Sequence, residues 1–181
     1  YDLSTDEWTT LTSAPGSSGN NGGAAYINGN VYVNYTSGGS ISVYNIAADE
    51  WSTLPSSPSF GTGNMTSEGD FLYIIDGYDF QRLEVSTGIW TTLSSPIDYF
   101  DDWGGISIYN GYLYGHSGNG SSTFQRYDLS EDSWEVLPSL PSGAVLGAAI
   151  DNINGVYYTY GNYGGNNLYA FDIENNTWSV T

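Results

Sequence analysis

YDLSEDSWEVL, running from Tyr127 to Leu137, is the stretch from which the architecture can be read. It recurs as YDLSTDEW (Tyr1 to Trp8), YNIAADEW (Tyr44 to Trp51), LEVSTGIW (Leu83 to Trp90) and FDIENNTW (Phe171 to Trp178). Trp8, Trp51, Trp90, Trp134 and Trp178 therefore stand 43, 39, 44 and 44 residues apart. A fixed period of this size marks a chain built from repeated supersecondary units. Within each copy the positions seven and five before Trp are apolar: Tyr1/Leu3, Tyr44/Ile46, Leu83/Val85, Tyr127/Leu129 and Phe171/Ile173. That two-residue alternation predicts a strand with one buried face. Two residues before Trp stand Asp6, Asp49, Gly88, Asp132 and Asn176, residue types that tolerate a tight turn. Trp then opens a further strand, and the periodic rings are expected in the core between adjacent units.

Outward from this phrase the plan repeats. A Ser/Pro/Gly stretch follows each Trp strand, then a small-residue apolar run: GGAAYI (22–27), GGISIY (104–109), LGAAI (146–150). Turns carry Gly29, Gly69, Gly111 and Gly155, three of them as Asn-Gly, the strongest short hairpin signal. An aromatic strand comes next: VYVNY (31–35), FLYII (71–75), YLYG (112–115), VYYTY (156–160). Each repeat thus reads as four short antiparallel strands, a to d, with no helical periodicity. The fold class is all-β, with four-stranded antiparallel sheets repeated as the blades of a β-propeller. The boundaries are a half blade at 1–13 and blades at about 20–54, 61–93, 104–137 and 146–181, all within one domain or segment of a larger propeller.

These residues resemble the kelch repeat: paired Gly on the inner strand, an aromatic strand after a Gly turn, then Tyr-Asp, about six residues, and Trp. LGAAIDNINGVYYTYGNYGGNNLYAFDIENNTW is the fullest match. The paired Gly that closes strand b is displaced to Gly38-Gly39 and Gly164-Gly165, or reduced to Asp76-Gly77 and Gly115. The resemblance implies a propeller fold. Four and a half blades do not close a ring by sharing one blade between the termini. The chain is therefore expected either to be an excerpt of a longer propeller or to complete its N-terminal edge with another polypeptide, including a further copy of itself.

Twenty acidic residues face two basic ones, a formal net charge of −18. The chain is acidic because bases are missing: there is no Lys, and the only Arg are Arg82 and Arg126. Such a surface repels phosphate backbones and anionic lipid, which disfavours nucleic-acid partners and membrane insertion. Cys is absent, so disulfides and thiolate chemistry are excluded. A Ser-, Thr-, Asn- and Tyr-rich surface fits an extracellular or cell-surface location. Four sequons, at Asn34, Asn64, Asn119 and Asn175, would then be glycan acceptors.

Loops on one propeller face, between strands b and c and between d and a, are where a ligand site is expected. The middle repeats concentrate unusual residues there: Asp76, Tyr78, Asp79, Asp98, Tyr99, Asp101, Asp102, Trp103 and, one blade on, His116. Rings beside carboxylates suit sugars, because rings stack on apolar sugar faces and carboxylates accept from hydroxyls. The same oxygen-rich loops suit Ca²⁺, although no cofactor is required. His116, the only histidine, cannot build a multi-His metal centre and has no Ser/His/Asp ordering, so it reads as an ordinary polar loop residue. Arg82 and Arg126 each follow Phe-Gln eight residues before a Trp, which predicts a structural role such as pairing with an acid. No catalytic set emerges. The expected function is a non-enzymatic binding or adhesion module for protein or glycan. Alternatives are a structural subunit of a fibre or surface layer, joined through the edge, and a carbohydrate-active enzyme using Asp98, Asp101 or Asp102.

Overall fold

A computed structural model of the chain describes residues 1–15, 22–34, 40–57, 63–101, 104–118, 120–141, 150–160 and 167–180. These hold sixteen strands and no helix. The first sheet comprises β1 (Ala24–Ile27), β2 (Asn30–Val33), β3 (Ile41–Asn45) and β4 (Glu50–Leu54). The second comprises β5 (Asn64–Glu68), β6 (Phe71–Asp76), β7 (Asp79–Glu84) and β8 (Ile89–Thr92). The third comprises β9 (Gly105–Tyr109), β10 (Tyr112–His116), β11 (Phe124–Asp128) and β12 (Ser133–Leu137). The fourth comprises β13 (Ile150–Ile153), β14 (Val156–Tyr160), β15 (Leu168–Asp172) and β16 (Thr177–Val180). Each sheet is a consecutive antiparallel meander, and together they are four propeller blades. The inner strands β1, β5, β9 and β13 touch in succession, so the blades are arranged side by side around their inner edges.

The turns form as their residues dictate. Asn28-Gly29, Asn110-Gly111 and Asn154-Gly155 all take positive φ, the left-handed pair a two-residue hairpin needs. The turn position two before Trp is also left-handed in every copy: Asp6, Asp49, Gly88, Asp132 and Asn176 have φ between 50° and 71°. In the fourth blade the described inner strand covers Ile150–Ile153, and 142–149, which hold the rest of the LGAAI run, lie outside the described residues.

The core sits between blades, not within them. Ile27, Tyr32, Ile41 and Val43 of the first blade pack against Met65, Leu72, Ile74 and Leu83 of the second. Tyr73, Ile75 and Phe80 of the second pack with Phe100 against Ile106, Leu113 and Tyr127 of the third. Tyr114, Phe124, Leu137 and Leu140 pack against Tyr157 and Phe171. Leu72 and Ile74 face one junction and Tyr73 and Ile75 the other. A mid-blade strand buried on both faces must read as a continuous apolar run, which is why FLYII does not alternate.

Two expectations are corrected. Residues 1–13 do not form a pair of strands c and d: among the described residues they contain one isolated bridge, Asp2 to Glu7, closing the turn at Asp6. The periodic Trp are not fully buried. Trp90, Trp134 and Trp178 are partly buried and pack against the core clusters between blades, Trp51 is partly buried, and Trp8 is 83% exposed. Each sits on the outermost strand of its sheet or in the segment before the first sheet, where burial is incomplete.

What the Trp do instead is clamp blades together. The Trp51 indole donates to the Thr12 carbonyl (2.9 Å), Trp134 to Ser94 (2.8 Å) and Trp178 to Pro138 (2.8 Å). Each acceptor lies four residues after the preceding Trp. In two junctions the same acceptor residue returns its backbone N–H to the turn Asp: Thr12 to Asp49 (2.9 Å) and Ser94 to Asp132 (2.8 Å). Tyr44 and Tyr127 donate their hydroxyls to those same carboxylates, at 2.5 and 2.6 Å. Where the acceptor residue is Pro138, with no N–H to give, the turn residue is Asn176 and the Tyr is Phe171. Pro55 likewise precedes a blade with Gly88 and Leu83 at these positions.

The two Arg are structural, as their equivalent positions predict. Arg82 lies over the Phe71 ring (4.6 Å) and Arg126 over Tyr112 (4.5 Å), and Arg126 is ion-paired with Glu135.

Candidate functional site

Asp76 and Asp79 face each other across the two-residue turn between β6 and β7. Gly77 in that turn exchanges both backbone hydrogen bonds with Phe100 (3.0 and 3.1 Å), which pins the turn to the segment linking β8 to β9. Extended-chain alternation then sets the side chains. Phe100 points inward, 2% exposed, against Trp134, and Tyr99 points outward, 51% exposed. Tyr99 meets Tyr78, 52% exposed, edge to face at 5.4 Å. Only glycine fits beneath them: Gly77 has φ +66°, and a Cβ there would lie 2.8 Å from the Tyr99 ring.

Asp98 anchors the loop from inside. It accepts from the Ser121 hydroxyl (2.7 Å) and from the Tyr99 N–H (2.9 Å). Burial acts to raise its pKa, but hydrogen bonds from Ser121, Thr123, the Tyr99 backbone and Ser117 outweigh it and hold the carboxyl below its ordinary value. Gln125 clasps the same loop. Its Oε1 accepts from the Ile97 and Asp98 N–H groups (2.9 and 3.4 Å), and its Nε2 donates to the Asp98 carbonyl (3.3 Å). Gln81, one blade back, accepts from the Ser57 hydroxyl (3.2 Å). These glutamines were missed from sequence. The signal was the repeated Phe-Gln-Arg, whose Gln and not only its Arg sits at an equivalent position.

Asp101 donates its N–H to the Ser117 carbonyl (2.9 Å), joining this loop to the next blade. Asp76 and Asp101 line a cavity of about 30 Å³ with Gly22, Gly63, Asn64, Ile75 and Phe100, space for about one water. Among the described residues, the exposed aromatic surface at this face is the Tyr78–Tyr99 ring pair. Thus Asp76, Tyr78, Asp79, Asp98, Tyr99 and Asp101 come together at one end of the second and third blades. Asp102 and Trp103 lie outside the described residues.

His116 does not join them. It ends β10 rather than lying in a loop, is 1% exposed, and sets Nε2 3.2 Å from the Thr159 hydroxyl in the next blade. Burial drives its pKa down to about 4, so it is neutral at pH 7. Among the described residues no three His, Asp or Glu side chains come together to hold a metal ion.

The sequons separate by geometry. Asn34 is 1% exposed, accepts from the Gly23 N–H (2.5 Å) and donates Nδ2 to the Gly63 carbonyl of the next blade (3.0 Å). That amide nitrogen is committed to a blade junction, so Asn34 is corrected from a glycan acceptor to a structural clamp. Asn64 is partly buried, with Nδ2 3.4 Å from the Asp101 carbonyl. Asn175 is exposed on a turn, where its Nδ2 donates to Asp172 (2.8 Å). Asn119 lies outside the described residues.

A larger cleft, about 560 Å³, opens at the opposite end of the same two blades, lined in part by Phe71, Tyr73, Tyr112 and Asp128. One face of Phe71 and one of Tyr112 are already covered by Arg82 and Arg126, which makes it the poorer stacking platform.

No family model matches the chain, and no curated protein matches it. Among solved structures it is similar to one titled "Structure of YjhT", with a TM-score of 0.77 and 16% identity, over 94% of this chain and 67% of that one. At that identity the likeness is one of fold.

Proposed function

We propose that this chain is a non-enzymatic, extracellular or cell-surface propeller of kelch type that binds a glycan, or a glycan-bearing protein, across the Tyr78–Tyr99 face. The observation that carries this reading is the pair of half-exposed rings held edge to face on a bridged glycine turn, with carboxylates at its margin. Rings fixed before binding lose little entropy on contact, and sugar C–H faces stack on them while Asp79 and Asp76 accept from hydroxyls. An acidic, nearly base-free surface favours neutral glycans over sulfated or phosphorylated ones. A hydrolytic role has less support. Asp98 is held ionised and saturated with hydrogen bonds, unsuited to giving a proton.

The test is a neutral glycan array followed by titration calorimetry of the best ligand. Tyr99→Ala and Tyr78→Ala are each expected to weaken binding at least tenfold, with a melting temperature within about 2 °C of the parent. Unchanged affinity in both variants overturns the reading.

A second reading, a structural subunit joined to further polypeptide through its N-terminal edge, is favoured by a separate observation. Tyr1, Leu3, Trp8 and Leu11 are all more than half exposed in one short segment.

A further inference from the structure

Three periodic Trp among the described residues each hold a tail, the segment that lies four residues after the preceding Trp. Trp51 holds Thr12, Trp134 holds Ser94 and Trp178 holds Pro138. In the first two junctions the turn Asp takes the tail's N–H, and a Tyr hydroxyl steadies the same carboxylate. The segment Tyr1–Trp8 carries this whole set. Tyr1 donates to Asp6, Asp6 is left-handed like Asp49 and Asp132, and the Tyr1 and Trp8 rings lie 5.1 Å apart, against 5.1 Å for Tyr44–Trp51 and 5.2 Å for Tyr127–Trp134. What differs is the occupant. Trp8 is 83% exposed, and no described residue accepts its indole N–H or gives a tail N–H to Asp6.

We infer that the Tyr1–Asp6–Trp8 corner is a formed docking site for the end of an outermost β-strand from a further blade of this repeat type. The strand would have the form Trp-x-x-Leu-Ser/Thr, and the residue after Leu must carry a backbone N–H and so cannot be proline. The chemistry follows from the occupied corners. The tail carbonyl accepts from the Trp8 indole while its N–H donates to the Asp6 carboxylate, an opposed pair that fixes both the position and the direction of the strand. Corners that hold proline dispense with Asp: Asn176 stands opposite Pro138. A corner that has kept both Asp and its supporting Tyr is built for a tail with an N–H to give. This deepens the edge reading above and is independent of the loop-face ligand.

The experiment extends the chain before Tyr1 by the heptapeptide Ile-Trp-Thr-Thr-Leu-Ser-Ser, a copy of residues 89–95, on a linker of about ten Gly/Ser residues. Such a linker spans roughly 18 Å and supplies the strand at millimolar effective concentration. Hydrogen exchange of the Trp8 indole N–H is followed by NMR. A matched extension carries proline at the first Ser, and Asp6→Gly is made in both. The expected result is slowed exchange at Trp8 with the Ser extension and protection about fivefold weaker with the Pro extension, as loss of one hydrogen bond to a solvent-exposed carboxylate predicts. Asp6→Gly, which removes the acceptor and suits the left-handed turn as Gly88 does, should abolish that difference. Equal protection by both extensions overturns the N–H requirement while leaving an attachment edge. Exchange equal to that of the unextended chain in both overturns the corner as a docking site altogether.

Discussion

Replacing Ser94 by proline, alone and with Asp132→Gly, tests how blades are held together. Ser94 gives its N–H to Asp132 (2.8 Å) and takes the Trp134 indole on its carbonyl (2.8 Å). Proline keeps the carbonyl and deletes the donor. The backbone at this position accepts proline without strain, because Pro138 occupies the equivalent place and still receives the Trp178 indole. A hydrogen bond to a charged group is worth about 1.5–3 kcal/mol, but Asp132 is largely in solvent and Tyr127 still donates to it. The loss should therefore be about 1 kcal/mol, partly offset by about 0.5 kcal/mol from stiffening the unfolded chain. In the Asp132→Gly background, which keeps the left-handed turn as Gly88 does at the equivalent position, the N–H has no acceptor side chain to meet, so proline should be neutral or stabilising. The two substitutions should thus couple by roughly 1 kcal/mol in a denaturant-unfolding cycle, a difference of about 2–4 °C in melting temperature. Ser94→Ala, which keeps the N–H, separates the backbone bond from the hydroxyl. If proline costs the same in both backgrounds, within about 0.3 kcal/mol, the clamp is incidental and the pairing of Asp with a free N–H is not a design rule of these junctions.

Trp134→Ala should cost about 3 kcal/mol, since the ring packs on Phe80 (5.4 Å), Phe100 (6.0 Å) and Tyr127 (5.2 Å), whereas Trp8→Ala should change stability by less than about 0.5 kcal/mol; urea titration distinguishes them. Gly115→Ala would bring a Cβ to 2.8 Å from the Phe100 ring and 3.0 Å from the Gly105 carbonyl, so a loss of about 1–3 kcal/mol with weakened near-UV aromatic dichroism is expected. His116 has its folded pKa depressed to about 4 while the unfolded chain protonates near 6.5, so the unfolded state binds the extra proton between those values. Stability should therefore fall as pH drops from 6.5 towards 4, by on the order of 3 kcal/mol in total from this group, and His116→Gln should flatten the slope between pH 6.5 and about 5.5, above most carboxylate titration; an unchanged slope there refutes the assignment.

The architecture was legible because its markers are local. Trp134 pairs across strands with Tyr127, and Trp51 with Tyr44, at the offset the repeated phrase displays. Asn-Gly pairs set three of the inner hairpins by backbone conformation alone. What depends on neighbours was harder to read. The Trp look like core residues in sequence, but on an outermost strand they pack at the margin of the core and stay partly exposed. Residues 1–13 have the letters of a c–d hairpin without the a and b strands that would cover it, and only the Asp2–Glu7 bridge forms. At the loop face, Tyr78 and Tyr99 could be placed together because both sit in short segments between well-marked strands. Their contact could not be foreseen, since it needs the Gly77–Phe100 bridge, a pairing between residues of two different loops. His116 shares that end of the sheet, yet one more residue of strand carries it inside the blade junction. Asn34 shows the same limit: a sequon is three letters, and only the Gly63 carbonyl of the next blade reveals that its amide is in use.

The junctions along the chain carry two different chemistries, and they alternate. Thr12 meets Asp49, Pro55 precedes Gly88, Ser94 meets Asp132 and Pro138 precedes Asn176. Blades that are nearly interchangeable in shape are thereby distinguished at their contacts. If the third blade docked where the second belongs, Pro55 would face Asp132, and the carboxylate would lose a donor it has in the native order. If the second blade of another copy docked where the third belongs, the Ser94 N–H would face Gly88, with no acceptor side chain at all. Each mismatch forfeits a hydrogen bond and leaves a polar group to find water at a half-buried seam, about 1 kcal/mol or more against the wrong arrangement. Repeat proteins are prone to misassembly because neighbouring units resemble one another. Here the small-residue inner strands and apolar seams make any two blades compatible, and the turn residue two before each Trp, read together with the residue four after the previous Trp, supplies the discrimination.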